Sequence, residues 1–319
     1  MAAIETFRLA KSYKVGFWRQ REREALSPLT LSVQEGEVFG YLGPNGAGKT
    51  TTLKLLMGLI YPTSGTATIL GRPLDDPKMK AQIGFLPEQP YFYDHLSARE
   101  LLTYLASLSG VPAGDRKGRV ETALRRVGIH EHADLQLRKF SKGMLQRVGI
   151  AQAIVHDPKL IFLDEPMSGL DPIGRREVRD LIQSLKDEGK TIFFSTHILS
   201  DAETLCDRVA VLNHGQLRGI GVVADLVREV SGKVEVVWEG AAAGDAIVGL
   251  GAEIHSSGAF LRAVLPEVAM ERAVDIIRNK GSRLISLTPV RATLEDFFLE
   301  RIEGEGETES KVASGEGAS

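Results

Sequence analysis

A glycine-rich stretch between an apolar segment and an amphipathic one constrains this sequence more than any other feature. Residues 43–50 (GPNGAGKT) follow the apolar run 38–42, which has the character of a buried strand. Residues 51–60 then place their apolar side chains on one helical face. A strand, a glycine loop and a helix in this order let backbone N–H groups surround an anion. The pattern predicts a cradle for nucleotide phosphates, and the alternative is a glycine-rich turn that binds nothing.

Two side chains of this stretch have the chemistry that the cradle needs. Lys49 would reach the β- and γ-phosphates, and the Thr50 hydroxyl would bind Mg²⁺. The residues predicted to contact the nucleotide here are Gly43, Pro44, Asn45, Gly46, Ala47, Gly48, Lys49, Thr50 and Thr51.

Composition narrows the class of protein. A net charge of −3 over 319 residues gives no electrostatic case for nucleic acid as the main partner. No apolar run approaches the roughly 20 residues that span a bilayer, and residues 1–14 lack the apolar core of a signal peptide. Cys206 is the single cysteine, which excludes a disulfide framework within the chain. We expect a protein made and kept in the cytoplasm.

The pattern along the chain predicts two domains and a tail. Apolar runs alternate with amphipathic helices over 1–219, which predicts a layered α/β domain, and residues of about 90–157 form a helical subdomain within it. Residues 220–303 change character and predict a small C-terminal α+β domain. The last segment, 304–319, holds no core formers, and we expect it to be disordered. A charged loop with two aromatics is predicted at 16–24.

Two adjacent carboxylates mark a second candidate for the site. Asp164 and Glu165 follow the apolar run 160–163, which is typical of a central strand in a parallel sheet. Asp164 would hold Mg²⁺ through water, and Glu165 would polarise the attacking water as general base. The alternative is that the two carboxylates form an acidic N-cap for the next helix. For this motif alone, the two interpretations are equally well supported. The upstream phosphate loop favours the functional interpretation.

Three further motifs are weak evidence for a functional site when each is taken alone. Ser141 and Gly143 stand at a helix start, where they could present a hydroxyl and N–H groups to an anion, although capping is the default. Asp171 follows the acidic strand closely. His197 ends another apolar run beside the carboxylates, where its imidazole could contact a γ-phosphate.

These five motifs, in this order and spacing, resemble the nucleotide-binding domain of ABC transporters over residues 1 to about 219. The resemblance implies the P-loop NTPase fold of ABC type with a helical signature subdomain. It implies that Ser141 and Gly143 contact the γ-phosphate bound on the opposite subunit. Asp171 would lie in the D-loop, and His197 would be the switch histidine. Tyr13 stands where the family stacks an aromatic on adenine, and a core tyrosine explains that position nearly as well.

The sequence departs from the family pattern in two places. Lys142 and Met144 replace two residues of the usual Ser-Gly-Gly-Gln signature, a variant similar to those of bacterial exporter ATPases. The family's Q-loop glutamine aligns best with Glu88, and Gln89 follows one residue later. Either of these two would reach Mg²⁺ and the catalytic water.

The resemblance implies an ATP-hydrolysing subunit of a transporter, in which ATP is sandwiched between two nucleotide-binding domains. The second domain is an identical copy or a related subunit. Separate polytopic permease subunits would cross the membrane, so the chain would lie peripherally on the cytoplasmic face of the inner membrane. Residues 91–93 (YFY) stand where the family docks a coupling helix, and residues 293–299 resemble the appendage of two-component bacterial exporters.

Two other classes of function remain as alternatives. One is an ABC-type ATPase that acts on DNA or ribosomes, but such proteins generally carry two nucleotide domains or long coiled-coil arms. The other is a regulatory binder that uses ATP only as a switch. The presence of Lys49, Asp164, Glu165 and His197 disfavours this second class.

Overall fold

The chain divides into two compact units, Met1–Val223 and Ala224–Ser319, in the computed structural model. The structure describes residues 1–15, 21–229, 232–250, 252–290 and 293–299. The tail predicted at 304–319 lies outside the described residues, as does the aromatic part of the loop predicted at 16–24.

The first unit mixes strands and helices in the order that the sequence predicts. Its strands are β1 (Ala2–Val15), β2 (Arg21–Gln34), β3 (Val38–Leu42), β4 (Ser64–Ile69), β5 (Arg72–Pro73), β6 (Ile83–Leu86), β7 (Leu160–Asp164), β8 (Thr191–Thr196), β9 (Arg208–Asn213) and β10 (Gln216–Val222). Its helices are α1 (Lys49–Leu56), α2 (Pro77–Lys80), α3 (Ala98–Leu108), α4 (Ala113–Arg126), α5 (Lys142–Ile154), α6 (Pro172–Asp187) and α7 (Leu199–Leu205). A further helix, α8 (Val223–Glu229), begins at Val223, the last residue of the first unit.

A six-stranded sheet in the order β10-β9-β3-β8-β7-β6 forms the centre of the first unit. Strands β9, β3, β8, β7 and β6 are parallel to one another. Strand β10, at one edge, runs antiparallel to its neighbour β9. Strands β3, β7 and β8 are buried along their whole length, because helices and a second sheet cover a parallel sheet on both faces. Their aromatic side chains pack together around Phe193, whose ring lies 5.6 Å from that of Phe39.

The second sheet of this unit, β2-β1-β4-β5, is antiparallel. Its strands β1 and β2 each span 14 residues, and β2 begins at Arg21. The loop predicted at 16–24 was therefore wrong for residues 21–24. These four charged or polar residues pair with β1 along an exposed stretch of the sheet, where a polar sequence does not prevent strand formation.

Helix α1 is shorter than its apolar periodicity predicts. The sequence favoured a helix to Ile60, but α1 ends at Leu56 because Gly58 adopts a left-handed backbone with φ of 62°. The Gly58 N–H then donates to the Leu55 carbonyl, which closes the helix end.

Helices α3, α4 and α5 form the predicted helical region. A capping box begins α3, because Ser97 accepts from the Glu100 N–H and the Glu100 carboxylate accepts from the Ser97 N–H. Ion pairs join this region to α6 and to the residue after it. Arg126 lies 2.6 Å from Glu188, and Arg147 pairs with Glu177.

The second unit is a small α+β fold. Its strands are β11 (Lys233–Glu239), β12 (Glu253–Ser257), β13 (Phe260–Pro266) and β14 (Arg283–Pro289), and its helices are α9 (Gly244–Val248) and α10 (Met270–Asn279). The order β-α-β-β-α-β with an antiparallel sheet β12-β13-β11-β14 is the split βαβ arrangement. Alternate residues of β11, among them Trp238, face a core that also contains Ile277 of α10. Residues 294–299 are helical.

In the part of the chain that the structure describes, no helix is both long enough and apolar enough to cross a membrane.

Candidate functional site

The site forms at the carboxyl edge of the central sheet. Leu42, the last residue of β3, pairs with Thr196 of β8, and Ser195 of β8 pairs with Asp164 of β7. The phosphate loop, the two carboxylates and His197 all follow directly from these three adjacent strands. The edge therefore gathers these three groups of predicted site residues, as expected for ligand sites in open α/β sheets.

The phosphate loop is packed tightly against two other segments of the first unit. The Ala47 carbonyl accepts from the Gly215 N–H at 2.9 Å, and the Gly215 carbonyl accepts from the Ser27 N–H at 2.8 Å. Gly48 caps α1 with a φ of 104°, and a Cβ there would lie 2.5 Å from the Ala25 carbonyl oxygen. A side chain is therefore excluded at Gly48 by both the backbone conformation and the close approach of β2.

Lys49 is held over its own loop. Its Nζ donates to the Gly43 carbonyl at 2.7 Å and the Pro44 carbonyl at 3.3 Å, and it lies 3.4 Å from Glu165 Oε1. The side chain is only 7% exposed, so the carboxylate offsets much of the cost of burying an ammonium group. Phosphate oxygens entering the cradle would offer the same group stronger acceptors.

Glu165 connects the lysine to the histidine. Its second oxygen, Oε2, lies 3.0 Å from His197 Nδ1, and its own N–H donates to the Ser195 carbonyl at 3.1 Å. The residue is buried and has a φ of 50°, which is uncommon for a residue other than glycine. Such a conformation costs about 1–3 kcal/mol and occurs preferentially at functional sites.

Asp164 contacts Thr50, the residue after Lys49 in the phosphate loop helix. Its Oδ2 accepts from the Thr50 hydroxyl at 3.1 Å, and its Oδ1 accepts from the Ser195 hydroxyl. Burial raises the pKa of Asp164 above its usual range, although both hydroxyl hydrogen bonds and the charge of Lys49 act in the opposite direction. The carboxylate is thus a hard oxygen donor whose charge lacks full compensation in the protein alone. Such a group suits Mg²⁺.

A cavity of about 840 Å³ opens over these residues. The predicted site residues that line it are Tyr13, Pro44, Asn45, Gly46, Gly48, Lys49, Thr50, Thr51, Glu88, Asp164 and Glu165. Gly43 and Ala47 lie beneath the loop surface and are not among the lining residues. Tyr13 is 39% exposed, so the alternative of a core tyrosine does not describe its surroundings.

Several lining residues were missed by the sequence analysis. They are Lys14, Arg23, Glu24, Ala25, His214 and Gly215. They come from the ends of β1 and β2 and from the turn between β9 and β10, far from the phosphate loop in sequence. The glycine after His214 indicated a turn, but no local pattern indicated that the turn packs on the loop. Ser195 was likewise not singled out, although its hydroxyl donates to Asp164.

The residues predicted to act on a second nucleotide lie outside this cavity. Ser141 caps α5 by accepting from the Met144 N–H at 3.2 Å, and Asp171 caps α6 by accepting from the Gly174 N–H at 3.0 Å. Both are exposed, and Gly143 is half-buried beside Leu170. Within one chain, Ser141 and Asp171 serve as helix caps.

Lys142, one of the two departures from the usual signature, and the two candidate Q-loop residues also have defined places. A Cβ at Gly169 would clash with the Lys142 side chain, so this lysine lies along the loop that precedes Asp171. The buried Gln146 donates to the Pro166 carbonyl at 2.9 Å and joins the same helix to the same loop. Glu88 lines the cavity, whereas Gln89 is exposed and is not among the lining residues.

This arrangement combines an anion cradle, a buried lysine and two carboxylates with different surroundings. Glu165 is ion-paired with Lys49, whereas Asp164 accepts hydrogen bonds from two hydroxyl groups. One carboxylate is therefore placed to accept a proton and the other to hold a cation. The cavity is large enough for a nucleotide.

Comparison with known proteins agrees with this chemistry. The sequence model of the ABC transporter family matches residues 26–168. An ABC transporter ATP-binding protein of Synechocystis sp. is 44% identical over 319 aligned positions, which cover 97% of this chain and 87% of that protein. The bacitracin transport ATP-binding protein BcrA of Bacillus licheniformis is 42% identical over 217 positions, which cover 67% of this chain and 68% of that protein.

Solved structures lead to the same family. The ATP-binding subunit of an ABC transporter superposes with a TM-score of 0.63 and 32% identity, covering 71% of this chain and 92% of that one. The ATP-binding cassette MJ0796 has the same TM-score at 26% identity, and the match covers 69% of this chain and 98% of that one. That cassette was solved as a dimer in a post-hydrolysis state with ADP and phosphate. The chain therefore belongs to the ABC transporter family, as an ATP-binding subunit with ATPase activity.

Proposed function

We propose that this chain powers an exporter by closing, together with a second nucleotide-binding domain, around two ATP molecules. The observation that carries the proposal is the position of Glu165, which is buried at the mouth of the phosphate cradle between Lys49 and His197. A carboxylate in this place can act on a water molecule that attacks the terminal phosphate.

In this proposal the phosphate loop binds and orients ATP. The lining residues Asn45, Gly46 and Gly48 supply backbone N–H groups, and Lys49 exchanges its carbonyl partners for phosphate oxygens. Tyr13 offers its ring to the adenine at the far end of the cavity. The triphosphate then extends from the aromatic ring to Glu165.

Hydrolysis requires one proton transfer and one displacement at phosphorus. Glu165 accepts a proton from water as the water oxygen bonds to the γ-phosphorus, and the bond from that phosphorus to the β–γ bridging oxygen breaks. ADP and inorganic phosphate leave. His197, hydrogen-bonded to Glu165, holds the carboxylate in place and faces the same phosphate.

The residues at the cradle also fit Mg²⁺. Thr50 and Asp164 present two oxygen ligands 3.1 Å apart, and Glu88 or Gln89 would complete the set. Among the described residues no group of three or more His, Cys, Asp or Glu side chains could hold a metal by itself, so the phosphates would supply further ligands. When bound, Mg²⁺ neutralises charge on the phosphate oxygens.

The second nucleotide-binding domain is proposed because part of the predicted site faces away from the cavity. Ser141, Gly143 and Asp171 do not line it, and the first and last of these are exposed. A partner domain facing the cavity would place its own copies of these residues on the γ-phosphate. The dimeric state of the cassette MJ0796 supports this arrangement.

Export through a membrane permease is proposed from the relatives. Besides BcrA, the linearmycin resistance ATP-binding protein LnrL of Bacillus subtilis is 35% identical over 206 positions. Tyr91 is fully exposed and Tyr93 is more than half exposed, and they would dock the permease at the cytoplasmic face of the inner membrane. We assign residues 1–219 to the nucleotide-binding domain and 220–303 to an accessory domain of the exporter.

Replacing the proposed base tests this function. We expect Glu165→Gln to lower the rate of phosphate release by at least about 100-fold, because the amide cannot accept the proton. The variant should also accumulate as an ATP-bound dimer, which light scattering after size exclusion would detect. Glu188→Gln is the matched control, since it removes an ion-paired carboxylate outside the site. A Glu165→Gln protein that hydrolyses ATP at the wild-type rate would contradict the assignment.

A further inference from the structure

Tyr13 reaches the cavity from an exposed strand, where little packing would fix its ring. It stands near the end of β1 and shares the cavity with the phosphate loop. An exposed ring has several rotamers available, and binding a base to one of them costs conformational entropy. Whatever holds the ring in one orientation before the nucleotide arrives therefore favours binding.

The ammonium group of Lys11 lies over this ring. Lys11 Nζ is 5.2 Å from the Tyr13 ring centroid, which is within the range of a cation–π interaction. The two residues are two positions apart on one strand, so their side chains emerge on the same face of the sheet. Lys11 is not among the residues that line the cavity, so its ammonium covers the ring without entering the nucleotide space.

A second contact anchors the lysine itself. Its Nζ donates to the Tyr61 carbonyl at 2.6 Å, in the segment that follows the phosphate loop helix α1. This segment is tied to β1 on both sides of Lys11, since the Thr63 N–H donates to the Ala10 carbonyl and the Ser12 N–H donates to the Thr63 hydroxyl. The ammonium is thus fixed between the phosphate loop helix and the aromatic ring.

We infer that Lys11 is a positioning residue, which holds the Tyr13 ring with one face covered and the other free for the base of the nucleotide. The inference rests on the proposed role of Tyr13 in binding adenine. A fixed ring loses less freedom when the base stacks on it, so Lys11 strengthens the binding of nucleotides that carry a base. It does nothing for the phosphates.

The test compares ATP with inorganic tripolyphosphate, which has the same phosphate chain and no base. We expect Lys11→Met to raise the dissociation constant for ATP by about two- to five-fold, because the ring would then lose its freedom only when the base binds. The dissociation constant for tripolyphosphate should not change. Both are measured by calorimetry with Mg²⁺ on the full chain.

Two control variants separate this role from a general effect of charge or folding. Lys80→Met removes another lysine whose Nζ donates to a backbone carbonyl near the end of α1, that of Gly58 at 3.3 Å, and it should leave both constants unchanged. In a Tyr13→Leu background, Lys11→Met should have no further effect on ATP, because the ring it positions is gone.

Three results would overturn the inference. Lys11→Met could weaken ATP and tripolyphosphate equally, which would mean that the lysine acts on the phosphates through its charge. It could weaken ATP as strongly in the Tyr13→Leu background, which would mean that it acts independently of the ring. If the wild-type protein bound neither compound, the proposed function would fail as well, and this outcome is distinct from the first two.

Discussion

Asp164 and Glu165 are adjacent in sequence and have the same chemical group, yet their surroundings differ. Glu165 pairs with Lys49 and contacts His197, so opposite charge compensates its burial. Asp164 receives hydrogen bonds from Thr50 and Ser195, and its pKa is raised because burial outweighs them. This difference in environment is what the proposed roles require, with Glu165 as the proton acceptor and Asp164 as the cation ligand.

The raised pKa of Asp164 predicts how stability depends on pH. A carboxyl whose pKa is higher in the folded state than in the unfolded state favours folding while it is protonated, and that contribution is lost as pH rises through its folded pKa. Above its folded pKa the ionised Asp164 therefore destabilises the nucleotide-free protein. We expect Asp164→Asn to raise its Tm by about 1–3 °C while abolishing ATPase activity, as differential scanning fluorimetry and phosphate release would show.

Asp157 provides the matched control, because its pKa is shifted in the opposite direction from that of Asp164. Hydrogen bonds from Lys190 and Arg119 lower the pKa of Asp157, so its contribution to stability is present above the unfolded pKa and lost as pH falls through the folded one. Asp157→Asn should lower the Tm at pH 7. The advantage of Asp164→Asn should shrink as pH falls. An Asp164→Asn protein less stable than wild type at pH 7 would contradict the assignment.

At the scale of elements, the sequence predicted those parts of the site that lie in continuous motifs. The phosphate loop and strand β7 were visible because apolar runs, glycines and carboxylates stand next to one another in sequence. The turn that carries His214 was not assigned to the site, since the contact between Gly215 and Ala47 joins residues distant in sequence. Hydrophobic periodicity reports which face of an element is buried, and it does not report which elements meet.

The close packing of the phosphate loop against β2 leads to a prediction about its glycines. Gly46 and Gly48 both have positive φ, but a Cβ at Gly46 would have no atom within 4 Å, whereas one at Gly48 would approach the Ala25 carbonyl oxygen. Alanine should therefore cost backbone strain at both positions and an additional clash at Gly48 only. We expect Gly48→Ala to lower the free energy of unfolding by about 1–3 kcal/mol more than Gly46→Ala does.

Urea unfolding followed by circular dichroism measures this difference, with Gly46→Ala as the matched control. Equal losses of stability in the two variants would mean that the approach of β2 to the loop does not constrain Gly48. Comparing the two glycines keeps the effect of the left-handed conformation common to both, so the difference reports the contact with Ala25.

At the scale of the whole molecule, one chain contains one phosphate loop, residues 43–50, and one signature segment, residues 141–144. Within the first unit, Ser141 and Asp171 are exposed and lie outside the cavity that contains Lys49 and Glu165. If a second copy of the chain completes the site, symmetry places the cradle of each chain against the signature segment of the other. Each dimer then has two composite sites, and every site takes Glu165 from one chain and Ser141 from its partner.

This arrangement predicts complementation between two inactive variants. Glu165→Gln removes the base, and Ser141→Arg blocks the signature segment, so neither variant should hydrolyse ATP alone. In a mixed dimer one site combines both defects, while the other combines an intact Glu165 with an intact Ser141. Random mixing of equal amounts makes half of the dimers mixed, so we expect about a quarter of the wild-type rate of phosphate release.

The control is a chain that carries both substitutions, mixed with an equal amount of wild type. Its mixed dimers have one defect in each site, so only the wild-type dimers should contribute activity. If the mixture of single variants stays inactive although light scattering shows that mixed dimers form, the two residues do not act across an interface between copies. A related subunit would then have to supply the partner's signature segment, or Ser141 would act only as a helix cap.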